Sequence, residues 1–302
     1  MDDAELTARA RTLASVIEPF AGQVYFSPEC HSRYAALGFS PSPAELRGVA
    51  MPDGPAYFCS RGSVMGQVPG EVVAATFAVF NPAVVVPAVG HGWTLTDATA
   101  ICRARTEGAV AQLARVLGEN PAGVERVAEL LRSAGAGLRV EGRPLFAGLA
   151  SQPVPDGHLG AAWRYADRLR EYRGDSHIAA WTSAGFDAVE IGLLTELYWG
   201  LPAKTYIRTR GWTDADLDAG LARLEHAGLV AGGSLTGPGR QRREAVEVAT
   251  DRACRPVIEA VGDGFDELVD LLRPMGESLR QAGAYPSAGP HDLASSAAGD
   301  GA

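Results

Sequence analysis

Between positions 164 and 177 the chain gathers Arg164, Arg168, Glu171, Arg173, Asp175 and His177, its densest set of groups able to bind or move charge. Arg164, Arg168 and Glu171 stand at i, i+4 and i+7, so a helix presents two guanidinium groups and a carboxylate on one face. Gly174 reads as a break that turns Asp175 and His177 back towards that face. Such a face suits an anionic ligand fixed by arginine, with His177 titrating or hydrogen-bonding and Asp175 orienting it. The same residues equally suit an ion-pair network joining two helices, and spacing alone does not choose. Two further residues join the candidate ligand set. Arg61 opens the polar, glycine-punctuated stretch 61–67, and Trp93 belongs with Tyr57, Phe58, Met65, Phe77, Phe80 and Trp163 among the residues that could wall an apolar pocket, or simply fill a core.

Other chemistries find less support. Cys30 and His31 sit early in a helix, where a thiol pKa can fall, but neighbouring helical positions point about 100° apart and make a poor dyad. The four cysteines form no C-x-x-C pair, and the six histidines show no H-E-x-x-H spacing. Neither a Walker sequence, a dinucleotide fingerprint nor a nucleophile elbow occurs, so the sequence announces no metal, no cofactor and no catalytic residue. A net charge of −9 disfavours nucleic acid and anionic membranes as partners. Without a signal-peptide pattern or a membrane-length apolar run, a cytoplasmic protein is expected. Lys204 is the only lysine among 27 cationic residues, a bias of GC-rich, actinobacterial-type coding.

The elements that must position these groups are mostly helices. Apolar periodicity and cap residues predict helices over 3–20, 28–38, 69–80, 96–117, 121–131, 144–150 and 159–172, with the last resuming at 177–183. Ser42-Pro43 predicts a short helix through Leu46, and 56–60 reads as a ribbon. That order leaves room for a degenerate helix-turn-helix in the first half. The expected architecture is mainly α: a helical region over 1–150, a helical connector and winged helix over 151–283, and a disordered tail from 284 to 302. Residues 186–252 run helix, short helix, turn, third helix, ribbon and long helix, which is the order of a winged helix. Thr213 caps the third helix, whose leading edge carries Asp214, Asp216 and Asp218. Carboxylates there repel phosphate, so DNA binding is not expected. If DNA is bound, the alternative surface is the wing with Arg240, Arg242 and Arg243.

The line LDAGLARLEHAGLVAGGSLTGPGRQRREAVEVATDR, residues 217–252, resembles the end of the third helix, the wing and the dimerisation helix of MarR-type regulators. That resemblance implies a homodimer through the helix after Thr236, with the apolar final helix over 263–280 as a second contact. The segments VYFSPECHSRYAALGF, SRGSVMGQVPGEVVAATFAVFNP and LREYRGDSHIAAW, followed by this unit, resemble an actinobacterial helix-turn-helix-like family. Some of its members neighbour natural-product pathways, which implies a small organic ligand. The expectation is therefore a small-molecule-binding protein on a winged-helix scaffold that has lost DNA binding, acting as a sequestering protein or a cofactor-independent enzyme. The alternative is a ligand-responsive MarR-like regulator.

Overall fold

A computed structural model describes residues 1–46 and 48–286. Helices begin where side chains can satisfy the free backbone donors of a first turn. Asp2 opens α1 (Asp3–Gly22), Ser27 opens α2 (Pro28–Ala36), and Asp53 opens α3 (Gly54–Gly62). Asn81 and Asp97 do the same for α5 (Pro82–Leu95) and α6 (Ala98–Leu117), with α4 (Gly70–Phe77) before them. Then come α7 (Val124–Ala134), α8 (Pro144–Ser151) and α9 (His158–Ser183). Reciprocal capping boxes, Asp187 with Glu190 and Thr213 with Asp216, start α10 (Ala188–Tyr198) and α11 (Asp214–His226). The chain closes with α12 (Gly237–Ala253), α13 (Arg255–Val261) and α14 (Phe265–Gln281). Among the described residues strand is confined to two antiparallel ribbons, β1 (Glu45–Leu46) with β2 (Val49–Ala50) and β3 (Val230–Ala231) with β4 (Ser234–Leu235).

Three local readings are corrected. Residues after Ser42-Pro43 form the β1–β2 hairpin, because Gly48 takes φ +79° and the Ser42 hydroxyl donates to Met51 O at 2.6 Å instead of capping a helix. Residues 56–60 are helical, since the Asp53 carboxylate accepts from Ala56 N at 3.1 Å with Pro55 in the first turn. Gly174 does not interrupt anything. α9 runs unbroken through 26 residues, packed against α1, α7, α8 and α12. A mid-helix glycine costs about 1 kcal/mol, and burial against four neighbours outweighs that.

Two hydrophobic clusters result. The larger draws on α1–α9, α13 and α14; the smaller is built by Trp181, α10, the 3-10 turn at Tyr206–Arg210, α11, β3 and α12. α9 belongs to both. The apolar face of α14, with Leu268, Leu272, Met275 and Leu279, is buried inside the chain, much of it against α1, so it is not available for a dimer contact. Ala284 and Tyr285, placed in the tail by composition, are buried; 287–302 lie outside the described residues. Among the described residues no helix is long and apolar enough to cross a membrane.

Candidate functional site

With α9 continuous, its charged residues point around the whole circumference and the neighbouring helices sort them. Arg168 Nε donates to Leu149 O at 3.0 Å and its Nη2 to Gln152 O at 2.8 Å, closing the C-terminal end of α8. Asp175 Oδ2 accepts from Phe146 N at 3.0 Å at the other end of α8. A cation at the C-terminus and a carboxylate at the N-terminus match the helix dipole. These two residues hold α8; they do not meet at a ligand. Burial lifts the Asp175 carboxyl to about 7. Arg164 is fully buried, donates to Thr106 Oγ1 at 2.7 Å and stands 5.1 Å from the Trp163 ring centroid. Trp93 Nε1 donates to Val68 O at 2.8 Å and pins the segment leading into α4.

His177 faces α12. Thr250 Oγ1 already donates to Val246 O at 2.8 Å, so it accepts at 3.0 Å from His177 Nδ1, which therefore carries the proton. Burial, opposed by Glu247 and reinforced by Arg243 and Arg173, holds that imidazole down at about 4, so it is neutral near pH 7. Arg173 Nη2 donates to Glu247 Oε2 at 3.0 Å and to Asp251 Oδ1 at 3.3 Å. Of the eight residues weighed for a ligand site, Arg61, Glu171 and Arg173 line a common cavity.

That cavity, about 150 Å³, lies between α1, α9 and α13. Ala14, Ile17, Leu169, Val257 and Ile258 supply its apolar wall, and Glu18, Arg61, Arg170, Glu171 and Arg173 its polar one. The polar wall is a buried hub. Arg61 grips Glu171 with a two-bond fork at 3.0 and 2.8 Å, and Arg170 grips Glu18 at 2.9 and 3.1 Å. Arg170 Nη1 also reaches Glu171 Oε1, at 2.9 Å, where the Tyr25 hydroxyl donates at 3.0 Å. Beside it Arg105 clasps Asp167 at 2.7 and 3.0 Å. Burial pushes the Glu171 carboxyl up, but Arg61 and then Arg170 outweigh it and hold it at about 2. Burial also raises the Tyr25 phenol, with Glu171 adding to the rise. Both therefore keep one protonation state at neutral pH: an ionised carboxylate and an intact hydroxyl.

Cys30 is buried, its Sγ 3.6 Å from Arg105 O, and burial raises its thiol to about 11, against the lowered value a helix start can give. Among the described residues no group of three or more His, Cys, Asp or Glu is placed to hold a metal. On α11, Asp216 closes the capping box, while Asp214 pairs with Arg208 and Asp218 with Lys204, so the nearest cations are engaged. Arg240 and Arg242 are exposed, but Arg243 is buried, paired with Glu247 at 2.7 Å. It cannot reach a DNA backbone, which corrects its place in the alternative set.

Taken together, these observations define a helical protein whose C-terminal helix–turn–helix–ribbon–helix unit is anchored on a larger helical body containing an ion-pair-walled cavity. The chain belongs to a helix-turn-helix family, matched over residues 10–286. It matches no curated protein and no solved structure.

Proposed function

We propose that this protein binds a small organic molecule in its helical body, and that the winged-helix unit formed by α10, α11, the β3–β4 wing and α12 makes no DNA contact. The cavity between α1, α9 and α13 carries the reading: apolar on one side, hydrogen-bonding on the other, and about 150 Å³ in volume. A cavity of about that size admits a single benzene-like ring. Its arginines are already matched, Arg61 by Glu171, Arg170 by Glu18 and Arg173 by Glu247 and Asp251. A net charge on the ligand would disturb those pairs, so the ligand is an uncharged ring bearing a hydroxyl or amide. Single-ring phenols and alcohols should raise the melting temperature of the wild type. Ala14→Phe, which fills the cavity with protein, should remove that shift while leaving the apo protein at least as stable. A panel without effect on the wild type, or an undiminished shift in Ala14→Phe, would sink the proposal.

Membership of a helix-turn-helix family and the exposed Arg240 and Arg242 favour a second reading, a ligand-responsive regulator. Anisotropy with DNA from its own upstream region at about 100 mM salt, where phosphate contacts still count, separates the two. We expect no submicromolar binding; finding it would promote the regulator.

A further inference from the structure

The cavity between α1, α9 and α13 reaches one end of the winged-helix unit's long helix. Leu13 and Ala14 of α1, Leu169 and Arg173 of α9, and Cys254 and Val257 all line it. Cys254 is the residue at which α12 stops and α13 begins. Earlier on α12, Val246 joins the smaller hydrophobic cluster, and the helix packs against α10 and β4. One helix therefore runs from the cavity wall into the winged-helix unit.

The two helices that flank the cavity also hold α12. Arg173 lies in the cavity wall and donates to Glu247 Oε2 at 3.0 Å and to Asp251 Oδ1 at 3.3 Å. Tyr172, its neighbour on α9, donates to Ala253 O at 3.3 Å. From α1, Arg11 donates to Asp251 at 2.8 Å and to Glu244 at 2.6 Å. The wall made by Cys254 and Val257 faces α1 and α9 only while these contacts hold. A molecule in the cavity touches all three sides, and it loses one of them wherever α12 has lifted. Such a molecule prefers the docked arrangement and shifts the equilibrium towards it by as much as that preference.

Resting on the binding of an uncharged ring proposed above, we infer that occupancy of this cavity sets how firmly the winged-helix unit is held. Arg173 and the end of α12 are the link. Coupling of this kind is reciprocal, so a partner that draws α12 off the body empties the cavity.

Amide hydrogen exchange on the full chain, with phenol as the probe, reads the link directly. At about ten times its Kd, phenol should slow exchange about tenfold in α11 and the β3–β4 wing, which do not line the cavity. Helix α2, equally absent from the cavity wall and not joined to α12, should not follow. Ala14→Phe and the smaller Ala14→Leu fill the cavity with protein and need no phenol. Both should slow the same amides of α11 and the wing, and adding Arg173→Met should remove most of that slowing. Slowing confined to α1, α9 and α13, or equal in α2 and α11, would overturn the link. So would an undiminished effect of Ala14→Leu in the Arg173→Met background. If phenol does nothing while the Ala14 variants protect α11, the link stands and only the ligand reading falls. If phenol raises the melting temperature and α11 exchanges as before, the ligand reading stands and the link falls.

Discussion

Asp175 is the residue whose surroundings oppose its ordinary state most plainly. One carboxylate oxygen serves the Phe146 amide, while Oδ1 is buried with no hydrogen-bond partner among the described residues. Its folded pKa of about 7 lies above the unfolded value. Stability is therefore full below about pH 4, falls as pH rises towards 7, and is flat beyond. Asp175→Asn keeps the acceptor and removes the charge. It should exceed wild type by roughly 2–4 kcal/mol at pH 8 and by little at pH 4, measured by urea unfolding at both values. A gap independent of pH would reject this account. At this scale the sequence was partly legible. Arg61, Glu171 and Arg173, picked out in the sequence as candidate binding groups, line one cavity, because arginine near glycine and acid is visible in one dimension. Arg105, Asp167, Arg170 and Glu18 were missed, since each meets its partners across helices distant in the chain. A signal did exist: Ile101, Arg105, Gly108 and Gln112 occupy i, i+4, i+7 and i+11 of one buried face of α6. Arginine and glutamine in such a stripe announce a buried polar hub.

Among the elements, those with a cap and a period were readable, and those decided by packing were not. Asp97, Thr213 and Thr236 mark helix starts in the sequence and do so in the structure. Gly174 was read as a break because propensity is local, whereas the continuity of α9 comes from its neighbours. That single difference dispersed the expected cluster, for a straight helix sends Asp175 to α8 and His177 to α12. The close crossings depend on glycine as well. A Cβ at Gly108 would lie 2.7 Å from Cys30 Cα, and one at Gly148 would lie 2.5 Å from Val64 O. At these two positions glycine marks an approach to another backbone, whereas a Cβ at Gly174 would meet only Glu171 Oε2, at 3.3 Å. The β1–β2 hairpin escaped notice because Ser-Pro opens a helix and an extended strap equally well.

At the scale of the whole molecule, the two clusters are tied by α9 and by a seam of charge. Arg11 from α1 reaches Asp251 at 2.8 Å and Glu244 at 2.6 Å, both on α12. Arg173 from α9 reaches Glu247 and Asp251, and Arg243 reaches Glu247 from one turn earlier on α12. Asp251 is fully buried, and Glu247 is 7% exposed. Breaking a buried pair by removing one member costs about 3–5 kcal/mol. In Arg173→Met the acids keep Arg11 and Arg243, so a loss of about 2–3 kcal/mol is the reasonable expectation. For a chain of this size that lowers the melting temperature by roughly 3–5 °C. The loss should fall unevenly. Arg173 reaches from α9 to α12, which contributes Val246 to the smaller cluster, so that cluster should come loose first. Scanning calorimetry should therefore show one transition in the wild type and a separate, earlier shoulder in Arg173→Met. If the variant melts at the wild-type temperature, the seam contributes nothing. If it melts earlier but still in a single transition, α9 alone couples the clusters and the charges are incidental to their union.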